Sequence, residues 1–210
     1  MTGLISGHEA LGRLKDGNHR FTATLRDSNG LLSKTSRPEL TQRQEPFAII
    51  FGCSDARVPA EIVFDQGLGD LFVIRVAGNI VAPSLVGSVE FAAARFGTRL
   101  VVVLGHSQCG AILATIEELR RPTDRKSHNL HAIVDRVRPS VEGLFEMHRD
   151  GDMGTLVEQA VRANIRASAD HLRHGSQLLE ELIEEQGLLV VGAEYSLETG
   201  VVDFFDGVGN

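Results

Sequence analysis

The amino-acid sequence predicts an α/β fold, a mostly parallel β-sheet flanked by helices. Four short apolar runs, none of which alternates with polar residues, are typical of strands buried on both faces of a parallel sheet. Segments with helical spacing of their apolar residues separate these runs, as expected for alternating strands and helices. The chain has 210 residues and no internal repeat, so 1–210 is expected to form a single domain.

The first predicted element is an amphipathic helix over residues 6–27, from which a polar connection leads to the first strand. Residues 1–45 thus hold a helix and its connection, and the pattern fits an ordinary helix packed on its own domain. The predicted strands lie at Phe47–Phe51, Leu71–Val76, Leu100–Leu104 and Leu188–Val191. The predicted helices lie at Leu85–Phe96, at Ala111–Leu119 and, as two or three helices broken near Gly151 and Gly175, within 129–186.

Composition excludes several classes of partner. The 21 Lys and Arg against 28 Asp and Glu give a net charge of −7, and only 5% of residues are aromatic, which disfavours nucleic acid. The longest apolar runs are far shorter than the roughly 20 residues that a membrane span requires. No signal-peptide pattern opens the chain, and its two cysteines are too few for a disulfide framework. We therefore expect a soluble, cytoplasmic protein that binds neither nucleic acid nor membrane.

Residues that can carry chemistry follow two of the predicted strands. After the first strand come Cys53, Asp55 and Arg57, whose side chains point the same way in an extended segment. After the third come His106 and Cys109, which are one helical turn apart. In α/β sheets, ligands bind beyond the carboxyl ends of the strands, which is where both motifs lie.

Two cysteines and one histidine match a catalytic zinc site, which uses three protein ligands and keeps one position for water. Beside such a metal, the carboxylate of Asp55 could accept a hydrogen bond from the bound water. Either motif alone is more often structural, because free cysteines are commonly buried. Two other interpretations stay open: a catalytically silent zinc protein, and a hydrolase with Cys53 as nucleophile and His106 as base.

The two motifs resemble the signatures of the β-class carbonic anhydrases, in particular the plant-like subclass of the bacterial enzymes. The resemblance rests on Cys53–Arg57 with Val58–Glu61, on His106–Gly110, and on the intervening segments 70–79 and 87–91. It implies the β-carbonic anhydrase fold and a zinc lyase that reversibly hydrates carbon dioxide to bicarbonate and a proton. An alternative is the hydrolysis of a related heterocumulene, CS₂ or COS, at the same zinc site.

The resemblance also implies the roles of individual residues. Cys53, His106 and Cys109 would bind one Zn²⁺ per chain, and a zinc-bound hydroxide would attack CO₂. Asp55 would orient that hydroxide while Arg57 holds Asp55 in place. In some family members this Asp becomes a fourth zinc ligand in a closed state, and Asp55 could do the same.

Four further residues are expected to line the substrate pocket. Gly110, at a predicted helix start, could offer its N–H to a substrate oxygen. Gln44 and Phe72 match the plant-like subclass, and Phe91 stands where a Tyr is common. The resemblance also implies a homodimer or higher homo-oligomer, with a tetramer expected, and active sites at the subunit interface. By the same resemblance, residues 1–45 would form an N-terminal helical arm and its connection, and the helix would wrap a partner.

Overall fold

The protein is built around a five-stranded sheet in the order β2-β1-β3-β4-β5, seen in a computed structural model that describes residues 5–24, 44–122, 127–148 and 151–209. The strands are β1 (Ala48–Cys53), β2 (Leu71–Val76), β3 (Leu100–His106), β4 (Leu189–Tyr195) and β5 (Val202–Asp206). The first four pair in parallel, and β5 pairs antiparallel with β4. The predicted fold class, a mostly parallel sheet flanked by helices, is confirmed.

The helices in the described residues are α1 (Gly7–Thr24), α2 (Ala60–Val63), α3 (Pro83–Phe96), α4 (Gly110–Arg120), α5 (His128–Met147), α6 (Met153–His174) and α7 (Gln177–Gln186). A 3₁₀ turn, Ala77–Asn79, follows β2. The stretch predicted to hold two or three helices contains three. None of the described helices has the length and apolar character needed to cross a membrane.

The sheet is buried on both faces, which is why its strands lack polar alternation. All seven residues of β3 are buried. Because successive side chains point to opposite faces, Val101 and Val103 pack under α3–α7, whereas Val102 and Leu104 pack against α1 and α2. The sequence expectation of strands buried between two layers of helices therefore agrees with the observed core.

Helix α1 packs on its own domain. Ala10 and Leu14 are completely buried against the sheet. Asn18 donates to the carbonyls of Val63 (3.0 Å) and Gly200 (2.9 Å) and accepts from the N–H of Val202 (2.9 Å). The part of α1 that holds Ala10 and Leu14 is thus covered within the chain, and a helix that wraps a partner stays a prediction. Most of the predicted connection, residues 25–43, lies outside the described residues.

Candidate metal centre

Cys53, His106 and Cys109 converge at the carboxyl edge of the sheet. Cys53 is the last residue of β1, His106 is the last residue of β3, and Cys109 is the residue that precedes α4. The two strands are parallel neighbours, so their ends meet. The two sulfurs and a ring nitrogen of the histidine lie within 4.8 Å of one another, and all three side chains are buried.

The turn between β3 and α4 sets the spacing of the second motif. The Ser107 N–H donates to the carbonyl of Tyr195 at 3.0 Å, and the Ser107 hydroxyl accepts from the Leu197 N–H at 3.0 Å. Gln108 has a φ of 55°, in the left-handed region, which turns the chain sharply into the helix. The turn is therefore fastened to β4 and its following loop, and it delivers Cys109 beside His106.

His106 presents one nitrogen to the two sulfurs. Its Nδ1 lies 2.9 Å from the carbonyl oxygen of Ser107. Because a carbonyl can only accept, Nδ1 carries the proton, and Nε2 keeps its lone pair when the ring is neutral. Nε2 is buried and has no hydrogen-bond partner among the described residues. A buried polar atom left without a partner is costly, and a metal ion on that lone pair removes the cost.

The two thiols differ in their acidity because they share one proton. A hydrogen bond from Cys109 lowers the pKa of Cys53 to about 4, and the N–H of Gly78, 3.4 Å from the Cys53 sulfur, contributes in the same direction. Donating that hydrogen bond raises the pKa of Cys109. Burial lowers the pKa of His106, but the Cys53 sulfur, the Ser107 carbonyl and the Asp55 carboxylate together outweigh burial, so this pKa is raised.

The donor set fits zinc. Ligand atoms bound to one zinc ion at about 2.0–2.3 Å lie within about 4.6 Å of each other, close to the spread seen here. Two sulfurs and one imidazole nitrogen are ligands that zinc prefers, and binding replaces the protons for which the three groups compete. The cluster can therefore hold a metal through Cys53, His106 and Cys109.

Asp55 lies beside the cluster and is held by Arg57. Its Oδ1 accepts from the Arg57 backbone N–H at 3.0 Å and from Nε at 2.9 Å, and its Oδ2 accepts from Nη2 at 2.7 Å. The guanidinium holds the pKa of the Asp55 carboxyl well below its usual range. Oδ2 lies 3.8 Å from Nε2 of His106. In this arrangement Asp55 stands next to the metal position while bound to Arg57, and its role as a fourth ligand stays a prediction.

Arg75, on β2, supports the same loop. Its Nε donates to the carbonyl of Cys53 at 3.0 Å and its Nη2 to the carbonyl of Asp55 at 2.6 Å. Sequence reasoning did not assign this role, because an arginine at a strand end carries no local sign of which carbonyls it reaches. Gly78 was also missed, although a Gly-Asn pair directly after a strand is a turn signal.

The four predicted pocket residues fall into two groups. Gly110 is the first residue of α4, exposed beside the cluster, and a side chain there would meet nothing within 4 Å. Gln44 precedes β1 and is exposed at the opposite end of the strands from the metal cluster. Phe72 pairs with Ile49, four residues before Cys53, or about 13 Å along the strand.

Phe91 is 54% exposed and completes an aromatic cluster with Phe72 and Phe96, with ring centroids 5.7–6.2 Å apart. This cluster lies on β2, which is an edge strand, and on α3. Within one chain, the structure brings together the cysteines, the histidine, the Asp–Arg pair and Gly110. It does not bring Gln44, Phe72 and Phe91 to that cluster.

Comparison with known proteins identifies the relatives of this chain. Residues 48–202 match the family model described as carbonic anhydrase. Carbonic anhydrase 2 of Mycobacterium tuberculosis is 38% identical over 197 residues, covering 94% of this chain and 92% of that protein. The carbonic anhydrase of Pseudomonas aeruginosa is 34% identical over 201 residues, covering 91% and 86%. A tetrameric β-carbonic anhydrase of Sordaria macrospora has a similar fold, with a TM-score of 0.73, 23% identity, and coverage of 94% and 95%.

Proposed function

The chain belongs to the carbonic anhydrase family, in its β class, and from that membership we propose that it catalyses the zinc-dependent, reversible hydration of carbon dioxide to bicarbonate and a proton. The observation that carries the proposal is the cluster of Cys53, His106 and Cys109 with the Asp55–Arg57 pair beside it. When bound, zinc lowers the pKa of a coordinated water towards neutrality. The remaining steps depend on the residues around the ion.

Asp55 orients the attacking water. The backbone N–H and the Nε of Arg57 both donate to Oδ1 of Asp55, whereas among the described residues Oδ2 accepts only from Nη2. Oδ2 therefore retains a lone pair for the proton of the water, and a water held by that proton turns an oxygen lone pair towards the carbon of CO₂. Arg75 keeps the loop in register through the Cys53 and Asp55 carbonyls. Such orientation contributes to the rate by holding reactants in their reacting geometry.

Gly110 binds a substrate oxygen through its backbone N–H. The first N–H groups of a helix have no partner within the helix, and they carry partial positive charge. The N–H of Gly110 can therefore donate to an oxygen of CO₂ or bicarbonate. The open space around its Cα leaves room for that oxygen to approach.

The remaining pocket residues would come from a second subunit. Gln44 and Phe72 lie too far along the sheet to reach the metal cluster of their own chain. Phe91, which packs on Phe72, exposes an aromatic ring beside the edge strand β2. We therefore propose a homo-oligomer in which these residues wall the site of a partner. A tetrameric assembly in a protein of the same fold supports this proposal. We also propose that the protein is cytoplasmic.

Replacing Asp55 tests the proposal. We expect Asp55→Ala to retain one zinc per chain and to lose about 100-fold in the rate of CO₂ hydration, because the water is no longer oriented. Asp206→Ala is the matched control: Asp206 also pairs with an arginine, Arg173, and its side chain is 19% exposed against 18% for Asp55. The control should keep both zinc and rate.

Stopped-flow hydration with zinc analysis measures both variants. A wild-type rate in Asp55→Ala would mean that Asp55 is only the structural partner of Arg57. The same assay with CS₂ and COS tests the alternative substrate class, which would be favoured by turnover of either compound without hydration of CO₂.

A further inference from the structure

Two polar side chains interrupt the buried face of α6. That face is otherwise apolar, and Asn164 and Ser168, which are 3% and 5% exposed, lie one helical turn apart within it. Burying an amide and a hydroxyl is unfavourable unless each forms hydrogen bonds. Both residues direct theirs to one short segment, the 3₁₀ turn that follows β2.

The bonds fix the carbonyls of that turn. Asn164 Nδ2 donates to the carbonyl of Gly78 at 2.8 Å, and the Ser168 hydroxyl donates to the carbonyl of Asn79 at 2.9 Å. We call these two side chains the carbonyl clamp. Without them, two backbone carbonyls would lose their partners in the core.

The turn needs such a restraint because its backbone is strained. Gly78 has a φ of 72°, which glycine adopts freely, but Asn79 has a φ of 44°, in the left-handed region that residues other than glycine rarely adopt. Conformations of this kind persist where surrounding contacts determine them. The clamp supplies two such contacts.

The same 3₁₀ turn also contacts a metal ligand. The N–H of Gly78 donates to the sulfur of Cys53 at 3.4 Å. In a site with two thiolates, the ligands largely neutralise the charge of the metal. A hydrogen bond to one sulfur withdraws part of that negative charge, as hydrogen bonds around metal ligands commonly do.

We propose that Asn164 and Ser168 are positioning residues of the metal centre, which act through the turn to hold the Gly78 N–H on the Cys53 sulfur. The inference rests on the zinc site proposed above. It gives a function to two buried polar residues that lie on a different element from every ligand. It also predicts that a change on α6 alters the electronic state of a sulfur on β1.

The test uses Asn164→Leu and Ser168→Ala, measured for zinc affinity by chelator competition and, after cobalt substitution, for the sulfur-to-cobalt charge-transfer bands. Asn164→Leu should weaken zinc binding about tenfold, which is within the loss of metal affinity usually seen when a residue that supports a ligand is replaced. Ser168→Ala should weaken zinc binding less. In both, the bands should move to longer wavelength, because a sulfur without its hydrogen bond gives up electron density more easily.

Two further variants separate positioning from general stability. Thr98→Val is the matched control: Thr98 is 3% exposed, its hydroxyl donates to the carbonyl of Pro46 at 2.7 Å, and it precedes β3 at the edge away from the metal centre. It should lower stability and leave the bands and zinc affinity unchanged. Ser168→Thr keeps the hydroxyl at a residue that lines a cavity of about 650 Å³. Ser168→Thr should therefore retain the charge-transfer bands of the wild type.

Each outcome decides the inference. Wild-type bands and zinc affinity in Asn164→Leu or Ser168→Ala, with only a loss of stability like that of Thr98→Val, would overturn it and leave the zinc site intact. If Asn164→Leu does not fold, Ser168→Ala, which loses a single hydrogen bond, gives the result. Failure of the unmodified protein to take up zinc or cobalt would instead refute the proposed function, and the inference with it.

Discussion

Gly78 is a position where a single added methyl group should damage the proposed centre. At its φ of 72°, an L-residue costs about 1–2 kcal/mol relative to glycine. An added Cβ would also lie 2.7 Å from the Cβ of Ala111, well inside a normal contact. Relieving such overpacking costs about 1–3 kcal/mol. We therefore expect Gly78→Ala to reduce the free energy of unfolding by about 2–5 kcal/mol, the sum of these two effects.

The same substitution should weaken zinc binding. Ala111 lies two residues after Cys109, at the start of α4, so relief of the clash displaces either that ligand or the Gly78 N–H on the Cys53 sulfur. Gly12→Ala is the control, because Gly12 lies inside α1 with nothing within 4 Å of an added Cβ. It should raise stability by about 0.5–1 kcal/mol, the usual gain on replacing a helical glycine.

Equilibrium urea unfolding, followed by circular dichroism, measures both variants, and chelator competition measures zinc. The midpoint of Gly78→Ala should fall with an unchanged slope, since the fold is kept. Wild-type stability and wild-type zinc affinity in Gly78→Ala would refute the reasoning that the left-handed turn and its contact with α4 constrain the site.

Three other predictions concern α1, α6 and the subunit interface. Asn18→Leu should lower the free energy of unfolding by about 2–4 kcal/mol, because three backbone groups lose their partner; an unchanged urea midpoint would show that α1 is not fastened through this residue. Asp152 caps α6, and the hydrogen bond from the Thr155 N–H lowers the pKa of its carboxyl. The stability that Asp152 adds is therefore fully present above its pKa in the unfolded chain, about 3.9, and is lost as the pH falls through its lower pKa in the folded protein. The difference in melting temperature between wild type and Asp152→Ala should accordingly shrink below about pH 4, and a difference that grows there would contradict it. A third test mixes Cys109→Ala subunits with Phe91→Ala subunits in equal amounts. If each site takes its metal ligands from one chain and Phe91 from its partner in a symmetric dimer, one site of each mixed dimer is intact, and up to about one quarter of wild-type activity should return. No activity above that of the separate variants would place Phe91 outside the partner's site.

The sequence predicts the strands well because each of the four is a continuous apolar run in a chain that has few other such runs. Their ends were less accurate: β1 extends to Cys53 and β3 to His106, so the strands continue into the residues that carry the chemistry. β5 was missed because Val202–Asp206 mixes acidic with aromatic residues. Part of its support comes from afar, as in the ion pair of Asp206 with Arg173 on α6.

The chemistry of the candidate site was more predictable than its supports. The two motifs converge as predicted, but the local geometry expected for each was wrong. β1 ends at Cys53, so Asp55 and Arg57 lie in a turn closed by the Val58 N–H on the Asp55 carbonyl and not in an extended segment. His106 and Cys109 are joined by a left-handed turn at Gln108 and not by a turn of helix. By contrast, Asn164 reaches the metal centre only through a turn that is distant in the sequence. No local pattern indicates that contact, which arises when α6 packs over the end of β2.

The position of the pocket residues shows another limit of sequence reasoning. A motif can assign Phe72 to a substrate pocket, but it does not say in which chain that pocket lies. The pairing of Phe72 with Ile49, on the strand that ends at Cys53, places the ring far from its own metal cluster. Only the register of the sheet supplies that information, and the proposal of a shared site rests on it.

The most direct test of the account is to measure zinc per chain and CO₂ hydration in the same preparation, beside Cys109→Ala. We expect one zinc per chain with hydration activity in the wild type, and loss of both in Cys109→Ala, because the two remaining ligands, Cys53 and His106, do not complete the site. Hydration by a zinc-free protein, or full activity in a zinc-free Cys109→Ala variant, would contradict the account.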